Sequence, residues 1–481
     1  MIWKAIQMGG VKVIFLLRLL ILAWLLSPDD FGLLAIATTA IGFMLQITDI
    51  GMIPALVQGK NVENKHYDVA WTVGVTRSLG VSTVILLIAP WIAQIFSEPR
   101  ATPIIQALTF RPMLESLASI KVADLTRNLE FRPVAILKLA EALVNLVVSI
   151  LLASAFGVWA LVIGTLAGSA IYLLLSYIVA PHWPRLSFQW ETIQPLIRFG
   201  RWVFLNGIIV MAGNYAFRVV ISRQLGTADL GLYFLAAQLA FLPAEAATEV
   251  VGTVAFPLFA RLQTDVQRAA KTFRTVFTGL SIILFPMCAM LIVLAPALVQ
   301  YVLGEKWDGT GPVIQVLALV SMIGTFGEVT VPIFNGFGHP YRVTVVELVQ
   351  SVLVMALVWR LTVQFGLAGA AFAWLPTAII SQMVSILLVR QILPRPLSGL
   401  GVPFLFILAA TGACALVAFA TGNLIPGLLG FVIAIALAAL TFVIFLWVFD
   451  KRFDLGFVEN VSQIFPQLSR LTWLRRGGFS H

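Results

Sequence analysis

Apolar positions along this chain fall in long blocks separated by short polar breaks. The blocks cover 5–26, 31–58, 70–96, 102–120, 133–155, 158–180, 199–222, 230–257, 275–301, 312–334, 343–365, 367–389, 401–420 and 425–449. At 1.5 Å of rise per residue, a helix of about 20 residues crosses hydrocarbon about 30 Å thick. The pattern therefore predicts an all-α polytopic membrane protein with about 14 transmembrane helices. The breaks carry turn chemistry: Ser27-Pro28-Asp29-Asp30, Phe156-Gly157, Gly226-Thr227, Gly366 and Pro426-Gly427. Two pairs of blocks, 133–155/158–180 and 343–365/367–389, read as two spans each because a single helix would be too long.

Cationic residues orient these spans. With the N-terminus inside, twenty-one of the 31 Lys and Arg fall at cytoplasmic positions. Only Arg100, Arg223, Lys306 and Arg360 fall outside, and Lys12, Arg18, Arg77, Arg111, Lys138 and Arg218 lie within spans. That bias predicts both termini inside and an even number of spans. It also accounts for the net charge of +9 without nucleic acid. Composition agrees: 60% hydrophobic and 11% charged leaves no room for a sizeable soluble domain and excludes a soluble enzyme, a disordered chain or a coiled coil. Cys288 and Cys414 both sit in apolar blocks, so neither a disulfide framework nor a metal site is expected. The first block runs directly into further spans and reads as a span, not a cleaved signal.

A repeat recurs at a spacing of about 200 residues. Leu26–Leu33 (LSPDDFGL) returns as Leu225–Leu232 (LGTADLGL), each in the turn between the first two spans of a block. Arg18 and Arg218 precede these turns by similar distances, and Pro54 and Pro257 follow them. An even number of spans separates the copies, so the repeat is parallel, as in alternating-access transporters built from two halves. The predicted organisation is an N-terminal lobe at 1–180, a cytoplasmic linker at 181–200 and a C-terminal lobe at 201–391. Two extra spans at 392–450 and a cytoplasmic tail at 451–481 complete it.

Several runs resemble a known family. They are Ser27–Leu34 (SPDDFGLL), Asp49–Gln58 (DIGMIPALVQ), Asn128–Pro133 (NLEFRP), Phe199–Asn206 (FGRWVFLN), Leu225–Ala236 (LGTADLGLYFLA), Phe256–Asp265 (FPLFARLQTD) and Leu303–Asp308 (LGEKWD). In order and spacing they resemble the polysaccharide transporter family. These are the Wzx-type flippases of the multidrug/oligosaccharidyl-lipid/polysaccharide superfamily, here nearest to exporters similar to the colanic acid and teichuronic acid ones. The resemblance implies two lobes around a central cleft in the inner membrane. It also implies movement of undecaprenyl-diphosphate-linked oligosaccharide from the cytoplasmic to the periplasmic leaflet, for exopolysaccharide, capsule or O-antigen. A polymerase and chain-length machinery are the implied partners beside membrane lipid. The lead-in before the first span, Met1-Ile2-Trp3, is shorter than the family pattern.

Such cargo sets physical requirements. Its diphosphate must cross hydrocarbon, so cations at membrane depth must substitute for water. Arg18 and Arg218 fit: each lies 9–10 residues before its outer turn, or about 14–15 Å in. The alternative is that neighbouring carbonyls or acids satisfy them and they only brace the fold. Lys12 sits lower on the first span, where snorkelling to the surface competes, and Arg77 has no acid within helical reach. Arg111/Glu115 and Lys138/Glu141, at i,i+4 and i,i+3, read as self-neutralised structural pairs. No cofactor is expected, but a proton or Na⁺ gradient would need acids. Glu245 and Glu249, i,i+4 on one face, read either as a coupling-ion site or as partners of a buried base. Asp49 belongs to the same set but more simply braces a bend, and Glu328 and Glu347 are acids without a helical partner. Trp71, Trp202, Tyr215 and Tyr233 suit either a sugar path or an interface belt.

Two other functions compete. Asp29-Asp30 resembles the acidic first loop of membrane glycosyltransferases, but outer connections here are too short for an acceptor site. A same-fold transporter of other cargo, a drug/cation antiporter or a peptidoglycan-precursor flippase, shares the architecture, and fold alone does not choose cargo.

Overall fold

A computed structural model describes residues 2–48, 64–187, 213 and 215–453. Among the described residues every regular element is helical. In the first part of the chain these are α1 (Ile2–Leu25), α2 (Pro28–Thr48), α3 (Asn64–Ile95), α4 (Ala101–Leu108), α5 (Phe110–Leu117), α6 (Val122–Arg127), α7 (Phe131–Phe156) and α8 (Val158–Val179). A helical stretch over 215–225 leads into α9 (Thr227–Arg261). Then follow α10 (Val266–Leu298), α11 (Thr310–Gly336), α12 (Tyr341–Phe372), α13 (Trp374–Arg390), α14 (Gly401–Leu424) and α15 (Leu428–Phe453). Eleven of the described helices are long and apolar enough to cross a membrane. By internal contacts the chain forms two compact units, Met1–Leu235 and Ala236–His481.

Of the remaining three expected spans, two differ for physical reasons. The block 102–120 is broken into α4 and α5. Pro112 has no N–H to offer the Leu108 carbonyl and its ring crowds that position, so the hydrogen-bond ladder is interrupted near Thr109, which itself keeps helical φ and ψ. The block 367–389 is divided: its first residues continue α12 past a kink at Gly366 (φ 59°), and the rest form the 17-residue α13. The kink falls at the glycine expected to break the run. The block 199–222, the linker beyond residue 187 and the tail beyond residue 453 lie partly or wholly outside the described residues, as do Asp49 and Trp202.

Local chemistry explains the turns. Pro28 opens α2, the first-turn position that tolerates its missing N–H. Ser27 and Asp30 cap each other: Ser27 N–H and Oγ donate to Asp30 Oδ2 at 3.0 and 2.6 Å, and Asp30 N–H donates to Ser27 Oγ at 3.3 Å. Asp30 Oδ1 also accepts the Val158 N–H at 3.0 Å, tying the start of α8 to that of α2. Asp29 pairs with Arg100 at 2.8 Å. Both acids of this turn are thus engaged in structure.

In the first unit α7 lies against α1 and α8, and α2 against α4. The two copies of the repeated turn meet here. Gly32 faces the Thr227 carbonyl, and Gly231 faces the Pro28 carbonyl. A Cβ at either glycine would overlap the opposing backbone. In the repeat Gly231 corresponds to Gly32 and Thr227 to Pro28, so the contact is reciprocal and has local two-fold symmetry. Beside it, Thr227 donates to the buried Glu98 at 2.6 Å, and Ser222 donates to the Phe96 carbonyl at 2.7 Å. In the second unit Phe273, Phe277, Phe326 and Phe404 form an aromatic core joining α10, α11 and α14.

Candidate functional site

Arg18 projects from the interior of α1 and is half-buried. Its Nη1 donates to Asn145 Oδ1 on α7 at 2.6 Å, and the guanidinium lies 5.8 Å from the Phe15 ring centre. Ser149, one turn along α7, donates to the same oxygen at 3.2 Å. Arg218 is also half-buried. Its Nη1 donates to Thr39 Oγ1 on α2 at 2.7 Å, with the Tyr215 ring 5.7 Å away. Among the described residues no carboxylate pairs with either guanidinium. Each donates a hydrogen bond to a neutral acceptor.

Two other cations in the same unit are paired with acids. Arg111 pairs with Glu115 at 2.8 Å and Lys138 with Glu141 at 2.9 Å, as their spacing predicts. Lys138 also lies 4.2 Å from the Tyr172 ring centre. Arg77 donates to the Thr48 carbonyl at 3.2 Å and so caps the end of α2. Lys12 lies on α1, half-buried, below Arg18.

The acids also separate. Glu245 is exposed on α9, and the side chain of Glu249 lies outside the described residues. Instead, α9, α11, α12 and α13 enclose a cavity of about 530 Å³ within the second unit. Thr248, Glu328, Glu347, Gln350, Gln382 and Trp374 are among its lining residues, and among the described residues no Lys or Arg lines it. Thr248 Oγ1 donates to Glu328 Oε2. The sequence signal for this cavity is faint: Glu328 and Glu347 stand on different spans, and each lacks a base three or four positions away. Asn145 and Thr39 left no signal at all, because a lone amide or hydroxyl in an apolar block has no pattern.

The fold and these charges define a polytopic membrane protein with uncompensated cations inside a helical unit. The family described as "Polysaccharide biosynthesis protein" matches residues 21–312, more than half of the chain, and the chain belongs to that family. Among its relatives is the lipopolysaccharide biosynthesis protein WzxC of Escherichia coli, 25% identical over 332 residues, covering 68% of this chain and 67% of the relative. The succinoglycan biosynthesis transport protein ExoT of Rhizobium meliloti is 27% identical over 340 residues, covering 70% and 68%. The fold is also that of the lipid II flippase MurJ in an inward closed conformation. The TM-score is 0.75 at 15% identity, covering 94% of this chain and 99% of that one. An inward-facing multidrug resistance MATE family transporter matches with a TM-score of 0.65 at 14% identity, covering 79% and 94%.

Proposed function

We propose that this protein is a flippase that moves polyprenyl-diphosphate-linked oligosaccharide repeat units from the cytoplasmic to the periplasmic leaflet by alternating access. The observation that carries the reading is the pair of guanidiniums, Arg18 and Arg218, held within helices by neutral acceptors. A charge at membrane depth is costly, and an uncompensated one calls for an anionic partner that arrives from elsewhere. A diphosphate provides that partner through charge-assisted hydrogen bonds. The polyprenyl tail stays in lipid while the headgroup passes. Relatives named for lipopolysaccharide biosynthesis and for succinoglycan transport support the cargo class, and the fold of a lipid II flippase supports the mode of movement. On this reading the protein performs no chemistry on its cargo, sits in the inner membrane with both termini cytoplasmic, and hands its product to a polymerase. A proton or Na⁺ gradient drives the cycle, with Glu328 and Glu347 the acids best placed to take the ion.

Deletion of the gene should strand oligosaccharide-lipid in the cytoplasmic leaflet and abolish surface polymer. The double variant Arg18→Ala with Arg218→Ala should reproduce that phenotype while still inserting at normal levels. Normal polymer export in the double variant would remove the cationic site from the mechanism.

A further inference from the structure

Within one helical unit, cations borne on helices receive two kinds of partner. Arg111 and Lys138 each have a glutamate at 2.8–2.9 Å, whereas Arg18 has an amide and Arg218 a hydroxyl. Aspartate at position 145 would instead set an ion pair on Arg18. It has the shape of asparagine, accepts the same bonds, and makes charge-assisted ones about twice as strong as neutral ones. The chain nevertheless has an amide there.

The surroundings hold that amide firmly. Gly164 and Gly168, four residues apart on α8, let α7 approach closely, as small residues do between membrane helices. A Cβ on Gly164 would meet the Asn145 carbonyl oxygen at 3.0 Å and Asn145 Oδ1 at 3.1 Å, and one on Gly168 would meet Asn145 Cβ at 3.1 Å. Ser149 donates to Oδ1 from one side and Arg18 from the other, which sets the amide with its oxygen toward the guanidinium. Thr39 is equally fixed: buried, it donates to the Ala35 carbonyl at 2.5 Å and accepts from Arg218.

We propose that Asn145, with Thr39 as its counterpart, is a positioning residue that aims a guanidinium at the cargo's diphosphate without cancelling its charge. The inference rests on the flippase reading above. A neutral clamp orients the cation and leaves it at full strength. An acidic clamp would orient it equally well and compete with the phosphate for it. The neutral side chain therefore keeps the site able to bind an anion.

Asn145→Asp separates the two roles, because a merely structural acceptor tolerates the change and a charge-preserving one does not. Export is measured in a deletion strain carrying each variant. The melting temperature of the purified full chain in detergent is measured with and without farnesyl diphosphate, a short polyprenyl diphosphate. Wild type should be stabilised by this probe, as any ligand that binds only the folded state stabilises it. Asn145→Asp should keep or raise the melting temperature, lose the probe-induced shift, and reduce export at least tenfold. Asn145→Ala, which frees the guanidinium but leaves it charged, should fall between wild type and Asn145→Asp.

Normal export and a normal probe shift in Asn145→Asp, while Arg18→Ala loses both, would overturn the clamp and leave the flippase reading standing. Normal export in Arg18→Ala would overturn the site itself. If Asn145→Asp fails to insert, Thr39→Asp carries the same test at Arg218. Lost export with an unchanged melting temperature supports the clamp, and full export overturns it.

Discussion

A charge on a membrane helix is defined by what answers it. Arg111 and Lys138 are answered by acids one turn away on their own helices, and spacing alone shows it. Arg18 is answered by Asn145, 127 positions later, and Arg218 by Thr39, 179 positions earlier. Only the folded chain reveals partners so distant. The same holds for the acids. Glu245 and Glu249 stand out in sequence because they share a helix face, whereas Glu328 and Glu347 stand on different helices and meet only at a cavity. If these two take the coupling ion, Glu328→Gln with Glu347→Gln should make transport in proteoliposomes independent of an imposed proton or sodium gradient. A retained gradient dependence would clear them of that role. Glu98 offers a separate test outside the spans. Arg100 donates two bonds to its carboxylate at 2.7 and 2.8 Å and so holds its pKa down at about 2. A carboxylate whose folded pKa is depressed contributes stability above its unfolded value, and that contribution is lost as pH falls through the folded value. The melting temperature should therefore drop between about pH 4.5 and about pH 2 more steeply in wild type than in Glu98→Gln. Parallel pH profiles would show that the ion pair is energetically silent.

At the scale of elements, periodicity located the apolar blocks but not every interruption within them. Gly366 announced its kink, because a positive φ suits glycine and the turn was expected there. Pro112 carried an equally plain signal for the break between α4 and α5, but hydrophobic run length overrode it. The α7–α8 contact was hidden for another reason. Glycines in an apolar run look merely permissive until a partner helix is known. Gly164→Val should force the Asn145 backbone aside, at a cost of about 1–3 kcal/mol for an overpacked interior. The expected result is a lower melting temperature together with reduced export, since the clamp on Arg18 moves with α7. Unchanged stability would mean that the helices re-seat without strain.

For the whole molecule, the alternation of cationic loops predicts an orientation that direct labelling can check. Both native cysteines are buried, so background reaction should be low. Glu305→Cys should react with a membrane-impermeant maleimide on intact cells, and Arg268→Cys only after permeabilisation. The reverse pattern would invert the topology. The repeat itself was legible because the two copies kept their turn chemistry, Asp30 and Gly32 in one and Asp229 and Gly231 in the other. Their meeting was not legible, since nothing in either copy states that it faces the other. Each glycine opposes the carbonyl that its counterpart's own turn presents. Such self-complementary contacts are the hallmark of two-fold homodimers. A side chain at either glycine would therefore push the same two turns apart, so one small residue in each copy keeps the whole seam closed.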